Sequence, residues 1–408
     1  MNFKIFDNNK IKSIIYIISN LIVFILAFLI NVIMTNYVSN QYVYGQYKYA
    51  TNFILTIPSI FSLGITWSCA SLIANDKRKS KSGIITASII ATIIIGIIVS
   101  IGVYCFIKIS YILGYQEFNN LKVLVPFVSI FLLQKLVNQI YTGLGETVQL
   151  SLFNIIPNTI IILGTFLGIK IYKDLSYIYC ILLYLIAYTI AIVPKLISIS
   201  YEYENMKKNF RDLFDDVKNS GFKVHISSVF TTSSSQIIAM ACGGYFGYTQ
   251  YGYYSLASSL ATIFLLIGSS LAIVNFKKYA NSKNIPKKDF IFMISIGIVS
   301  YILMFLLIDK IFYIFYPKEY APTIIYLKIL CMANLIFGFS NIFNRFFISK
   351  GLGGIIMKNS FISAVATIVI NIPMIKNFGM IGIVYGTFIV SCISVLIYFK
   401  DYKSYILQ

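Results

Sequence analysis

The sequence holds very little charge and almost no histidine. Only 12% of its 408 residues are charged, with 14 acidic side chains and a single histidine, His225. Soluble domains average about 25% charged residues, so an ordinary soluble fold is excluded. One histidine supplies no metal-binding cluster. The six cysteines (Cys69, Cys105, Cys180, Cys242, Cys331, Cys392) form no CxxC pair and all lie in apolar stretches. That placement speaks for small buried side chains rather than disulfides or zinc. No hydrophilic stretch is long enough for a soluble domain; the longest is 200–223. No acidic residue falls in the middle of an apolar stretch, and Glu146 and Asp309 come nearest. The buried carboxylate on which a cation exporter or proton-coupled drug pump holds its cargo is therefore missing.

What the chain has in abundance is apolar surface. It is 58% hydrophobic, with a mean hydropathy of +0.81. Charges are clustered and leave runs of about 20 apolar residues, the length that crosses a bilayer. The runs lie near 14–36, 48–73, 83–107, 122–143, 149–169, 176–199, 223–246, 253–275, 290–313, 323–345, 359–375 and 379–399. These predict an all-α polytopic membrane protein with about 12 transmembrane helices. The first run, Ile14–Met34, is too long for a signal-peptide core and no small-residue cleavage site follows it, so it is expected to remain as a span. The net charge of +19 comes from basic residues in short connecting segments, among them 75–81, 200–223 and 277–288. Such a distribution reports topology rather than nucleic-acid binding, and it predicts that both termini are cytoplasmic.

The chain also repeats itself. "YGQYKYA" at 44–50 returns as "YGYYSLA" at 251–257, and "TGLGE" at 142–146 as "KGLGG" at 350–354. A weaker echo links "GYQEF" at 114–118 with "YPKEY" at 316–320. The tyrosine-glycine motifs read as outward turns between spans. The echoes imply a duplicated six-span unit: an N-terminal half over 1–199, an amphipathic cytoplasmic connector over 200–222, lying on the membrane surface, and a C-terminal half over 223–408. Six spans is an even number, so the halves share one orientation and enclose a central cavity. A transporter needs that arrangement; a membrane enzyme does not.

Polar residues inside spans are costly unless they face protein or water, so they mark candidate cavity positions. Span four carries Gln134, Lys135, Asn138 and Gln139, a stripe at i, i+4 spacing. Span ten carries Lys328, Asn334, Asn341, Asn344 and Arg345, with the three asparagines on one helix face. Asn31, Asn154, Asn158, Gln236 and Asn371 add further amides. Bases and amides without acids suit an anionic, hydroxyl-rich cargo. Lys328 and Arg345 lie near span ends, where long basic chains also snorkel to headgroups.

The order of these features, with "YGQYKYATNFILTIPSIFSLGI" after span one, "FYPKEYAPTIIYLKIL" entering span ten and "NIPMIKNFGMIGIVYGTFIV" joining the last two spans, resembles the polysaccharide transporter family. That family contains the lipid-linked O-antigen and capsule repeat-unit flippases and belongs to the superfamily that also holds the MATE drug exporters. The resemblance implies a non-enzymatic flippase of the bacterial cytoplasmic (inner) membrane. It would move undecaprenyl-diphosphate-linked oligosaccharide to the outer leaflet by alternating access, without a bound cofactor and with the coupling ion left open. Its partners would be the lipid-linked substrate, the membrane, and the polymerase and chain-length machinery of the same pathway, with no nucleic acid. The competing expectations are a MATE-like drug or metabolite exporter, a flippase for the peptidoglycan precursor, and a membrane-embedded polysaccharide enzyme.

Overall fold

A computed structural model of the chain describes residues 9–74, 81–230, 234–274, 279, 282–350 and 352–407. Those residues are almost entirely helical. Among the described residues nine helices are long and apolar enough to cross a membrane, and a bent pair taken as one span makes a tenth. In chain order the helices are α1 (Asn9–Tyr37), α2 (Gln41–Phe61), α3 (Ile65–Ala74), α4 (Lys81–Ile112), α5 (Val128–Leu144), α6 (Thr147–Ile171), α7 (Tyr177–Ser198) and α8 (Met206–Asp216). They continue as α9 (Phe222–Ser228), α10 (Ser234–Phe246), α11 (Tyr248–Val274), α12 (Lys287–Phe315), α13 (Pro322–Ser349), α14 (Gly353–Phe378) and α15 (Met380–Leu407). The segments α9–α10 and α11 occupy the places of spans seven and eight, so the order of twelve apolar runs is kept. The outer faces suit hydrocarbon: Ile98, Ile101, Leu306 and Ile314 are each more than half exposed.

The helices form two compact units, Met1–Ser39 with Ala50–Val229, and Asn40–Tyr49 with Phe230–Gln408. In the first, α1 packs on α6, α3 and α4 pack on α5, and α7 packs on α5 and α6. Its core joins Ile73, Ile84, Leu136, Val137, Ile140 and Phe153. In the second, α10 packs on α14, α11 and α12 pack on α13, and α15 packs on α13 and α14. The same pairs of spans therefore meet in both units, which is the duplication expressed as packing. The weaker echoes keep their places too: a 3₁₀ segment (Gln116–Phe127) precedes α5 and another (Lys318–Tyr320) precedes α13.

Three sequence expectations need correction. The tyrosine-glycine motifs are not turns; residues 44–50 lie inside α2 and 251–257 inside α11. Their glycines let two helices touch within the second unit. A Cβ on Gly252 would stand 3.1 Å from the Cα of Gly45, and a Cβ on Gly45 would collide with the carbonyl of Tyr248. Around the crossing Tyr49 meets Tyr248 and Tyr251 edge-on, while Tyr44 and Tyr253 both meet Tyr320. Second, span two is not one helix. It breaks after Phe61, with Leu63 at φ 48° and Gly64 at φ 86°, and α3 leaves α2 at 64°. Third, the connector's apolar stripe packs largely on protein, with Phe214 left half exposed. Leu213 of α8 is buried with Ile65, Ala87 and Ala91 of α3 and α4, and Met206, Phe210 and Val217 pack around them. The amphipathic stripe is real, and protein covers most of it.

The helix crossing makes one prediction. Gly45→Val forces backbone against backbone and is expected to destabilise the protein by about 1–3 kcal/mol. Gly102→Ala, at a helical glycine whose added Cβ meets nothing within 4 Å, is expected to be neutral or stabilising. Thermal unfolding in detergent measures both.

Candidate functional site

The first polar cluster follows from the break in span two. A helix that stops inside a bilayer leaves carbonyls in its last turn without intrahelical donors. Here donors come from elsewhere in the same unit. Lys135 on α5 places Nζ 3.1 Å from the Pro58 carbonyl, which also accepts the Ser62 backbone N–H at 3.2 Å. His225 on α9 places Nε2 3.0 Å from the Ile60 carbonyl. A carbonyl only accepts, so Nε2 carries the proton, and Nδ1 at 3.3 Å accepts from the Ser62 hydroxyl. The cation stands at the negative end of α2, where the helix dipole favours it. Gly64 is required at the corner by its φ and by the approach of Gly221, whose carbonyl carbon would lie 2.7 Å from an added Cβ. His225 thus ties the start of span seven to the broken span, a role its sequence position did not suggest.

The other amides of span four lie on the same helix. Gln134, Asn138 and Gln139 are half-buried, and Asn138 Oδ1 has no hydrogen-bond partner among the described residues. Asn31 is buried in α1. On α6, Asn158 donates to the Asn154 carbonyl of its own helix at 3.0 Å, so this pair is satisfied locally.

The second cluster is a cavity of about 450 Å³ in the second unit, walled by α13, α14 and α15. Four of the predicted amides line it: Asn334, Asn341, Asn344 and Asn371. Seven- and three-residue spacing puts the first three on one face of α13. Asn371 enters from α14, 1% exposed, with its Nδ2 donating to the Thr367 carbonyl and its Oδ1 without a partner among the described residues. Asn344 donates to the Tyr398 hydroxyl at 2.8 Å. Serine and threonine hydroxyls, with Phe230, Phe337 and Tyr398, complete the wall.

The structure does not bring the cationic candidates of span ten to this cavity. Arg345 is exposed. Lys328 pairs with Asp309 of α12 at 2.8 Å and lies over the Phe305 ring at 4.8 Å. Gln236 is exposed on α10. One residue was missed by the sequence reading. Lys48 lies in α2, with Nζ 3.3 Å from the Ser259 hydroxyl of α11 and 5.9 Å from the Tyr44 ring centre. It was passed over because its motif read as an outward turn. The available signal was the Tyr44–Lys48 spacing of four, which suits a helix.

A model of the family described as polysaccharide biosynthesis protein matches residues 11–267. No curated protein matches in sequence. Among solved structures, the lipid II flippase MurJ in an inward closed conformation superposes with TM-score 0.70 at 18% identity, over 97% of this chain and 90% of that one. An inward-facing MATE multidrug transporter superposes with TM-score 0.70 at 14% identity, over 96% and 98%. A superfamily transporter from Pyrococcus furiosus, described as having a binding pocket of reversed polarity, superposes with TM-score 0.62 at 14% identity, over 97% and 96%.

The capping cluster yields a test. His225→Phe is expected to cost about 1–3 kcal/mol, because it strands the Ile60 carbonyl. Lys400→Ala, at an exposed position, is expected to leave the unfolding temperature unchanged. Equal stability of both variants would remove His225 from the support of the broken span.

Proposed function

The chain belongs to the polysaccharide biosynthesis protein family, and on that basis we propose that it flips lipid-linked oligosaccharide repeat units from the cytoplasmic to the outer leaflet. The membrane is the bacterial cytoplasmic membrane, both termini are cytoplasmic, and the cargo serves O-antigen, capsule or a related surface polysaccharide. The polymerase and chain-length machinery receive the product. The observation that carries this reading is the charge inside the spans. Helices α2, α5 and α13 contain Lys48, Lys135, Lys328 and Arg345, while none of α1 to α7, nor α11, α13 or α14, contains an acidic residue. A diphosphate needs cationic donors, and Lys48 and Lys135 are the two placed well inside helices that pack in the protein interior. Amides and hydroxyls meet the sugars. A drug exporter working on cations gains nothing from this set, although its fold is shared. Alternating access fits the duplicated units, and the reaction needs no covalent chemistry from the protein.

The deciding measurement is the state of lipid-linked sugars in cells lacking the protein. Complete single repeat units are expected to accumulate on the cytoplasmic leaflet, with loss of surface polysaccharide, and re-expression should clear them. Normal polysaccharide without accumulation would overturn the reading. In complemented cells, Lys48→Ala and Lys135→Ala are each expected to lower translocation by about tenfold or more, equivalent to about 1.4 kcal/mol, with membrane insertion intact. Wild-type rates in both would remove the lysines from the substrate path.

A further inference from the structure

The cavity of the second unit is uncharged and lined by amides and hydroxyls. Ser340 donates its hydroxyl proton to the Phe337 carbonyl, Thr367 to Ser363, Thr387 to Ile383 and Ser391 to Thr387, all at 2.7–2.8 Å. Ser363 and Ser394 share a hydrogen bond at 2.9 Å. One N–H of Asn344 goes to Tyr398 and one of Asn371 to the Thr367 carbonyl. An asparagine amide carries two N–H donors and an acceptor oxygen, so Asn334 and Asn341, with the remaining N–H groups, offer donors alongside the hydroxyl lone pairs. The Oδ1 of Asn371 lies against Gly386, in the place a side chain there would take.

A wall of uncharged donors and acceptors complements a ligand that does both. Sugar hydroxyls donate and accept, and an acetamido group adds an N–H and a carbonyl. Carboxylate and phosphate carry charge, and burying either with no cation beside it costs several kcal/mol. The volume of about 450 Å³ lies toward the lower end of the range for ligand cavities, about 300–1,000 Å³, and suits a mono- or disaccharide. Phe230, Phe337 and Tyr398 offer flat apolar faces to a pyranose ring. We propose that this cavity is a sugar-binding subsite that takes a neutral, hydroxyl-rich sugar and rejects sugars bearing carboxylate or phosphate. The inference rests on the flippase reading for its biological cargo. It assigns the neutral part of the repeat unit to these amides and leaves the diphosphate to the lysines.

The test uses the full-length protein in nanodiscs and two probes, N,N′-diacetylchitobiose and a disaccharide of matched size that carries a glucuronic acid. Saturation-transfer NMR measures both. The neutral probe is expected to bind at least about tenfold more tightly than the acidic one. Asn371→Leu is expected to weaken it about fivefold or more, with the unfolding temperature confirming a folded variant. Asn341→Arg supplies a cation and is expected to reverse the preference, an arm that does not depend on losing a buried amide. Equal binding of the two probes would overturn the proposal, as would a neutral-probe dissociation constant weaker than about 10 mM. Stabilisation by sodium ions alone, abolished in Asn371→Leu with no sugar effect, would reassign the cavity to a cation. Each of these leaves the accumulation of lipid-linked sugars untouched, so the subsite can fail while the flippase stands.

Discussion

Hydrocarbon offers no hydrogen bonds, so every backbone group within a span must be satisfied by the protein. That constraint explains why the described residues are nearly all helical, and it decides what surrounds the one span that breaks. The corner at Leu63 and Gly64 exposes the end of α2, and two side chains from distant positions cover it: Lys135 on Pro58 and His225 on Ile60. The connector leads directly into α9, which carries His225, and its helix α8 buries Leu213 against α3 and α4. A hydrophilic linker between duplicated units thereby becomes part of the first unit.

The duplication acts through small residues as much as through spans. With lipid as solvent, helices gain little from apolar contact alone and pack best where small residues let backbones approach. Gly45 and Gly252 are the repeated glycines, and they meet each other in the second unit. A motif copied with its unit supplies both sides of the crossing, and tyrosines from both copies, Tyr49 and Tyr251, meet beside it.

Hydropathy and spacing made much of this legible. Among the described residues the apolar runs fall on helices, and the asparagine stripe of α13 lines a cavity, though within the second unit rather than between two halves. Other features were hidden for physical reasons. Periodicity shows that residues 206–217 have an apolar face but not whether lipid or protein covers it. Tyrosine and glycine are turn formers in water, so helical packing of "YGQYKYA" hid Lys48. A left-handed corner at a leucine carries no sequence mark, and without the corner neither Lys135 nor His225 has an evident partner. Composition also cannot tell a lysine that faces substrate from one that pairs locally, as Lys328 does with Asp309.

The two polar clusters therefore differ in what they say about a ligand. An intramembrane cation is costly, and a cost that large invites a functional explanation. For Lys135 the fold supplies part of one, since its ammonium adds a donor to the Pro58 carbonyl beside the broken end of α2. The uncharged cavity carries no such cost. Some of its hydroxyls and one N–H each of Asn344 and Asn371 bond within the protein, while Asn334 and Asn341 add amides that both donate and accept. Groups of that kind complement sugar hydroxyls, whereas a diphosphate needs cations. On the proposed reading the two clusters therefore divide one cargo by its chemistry.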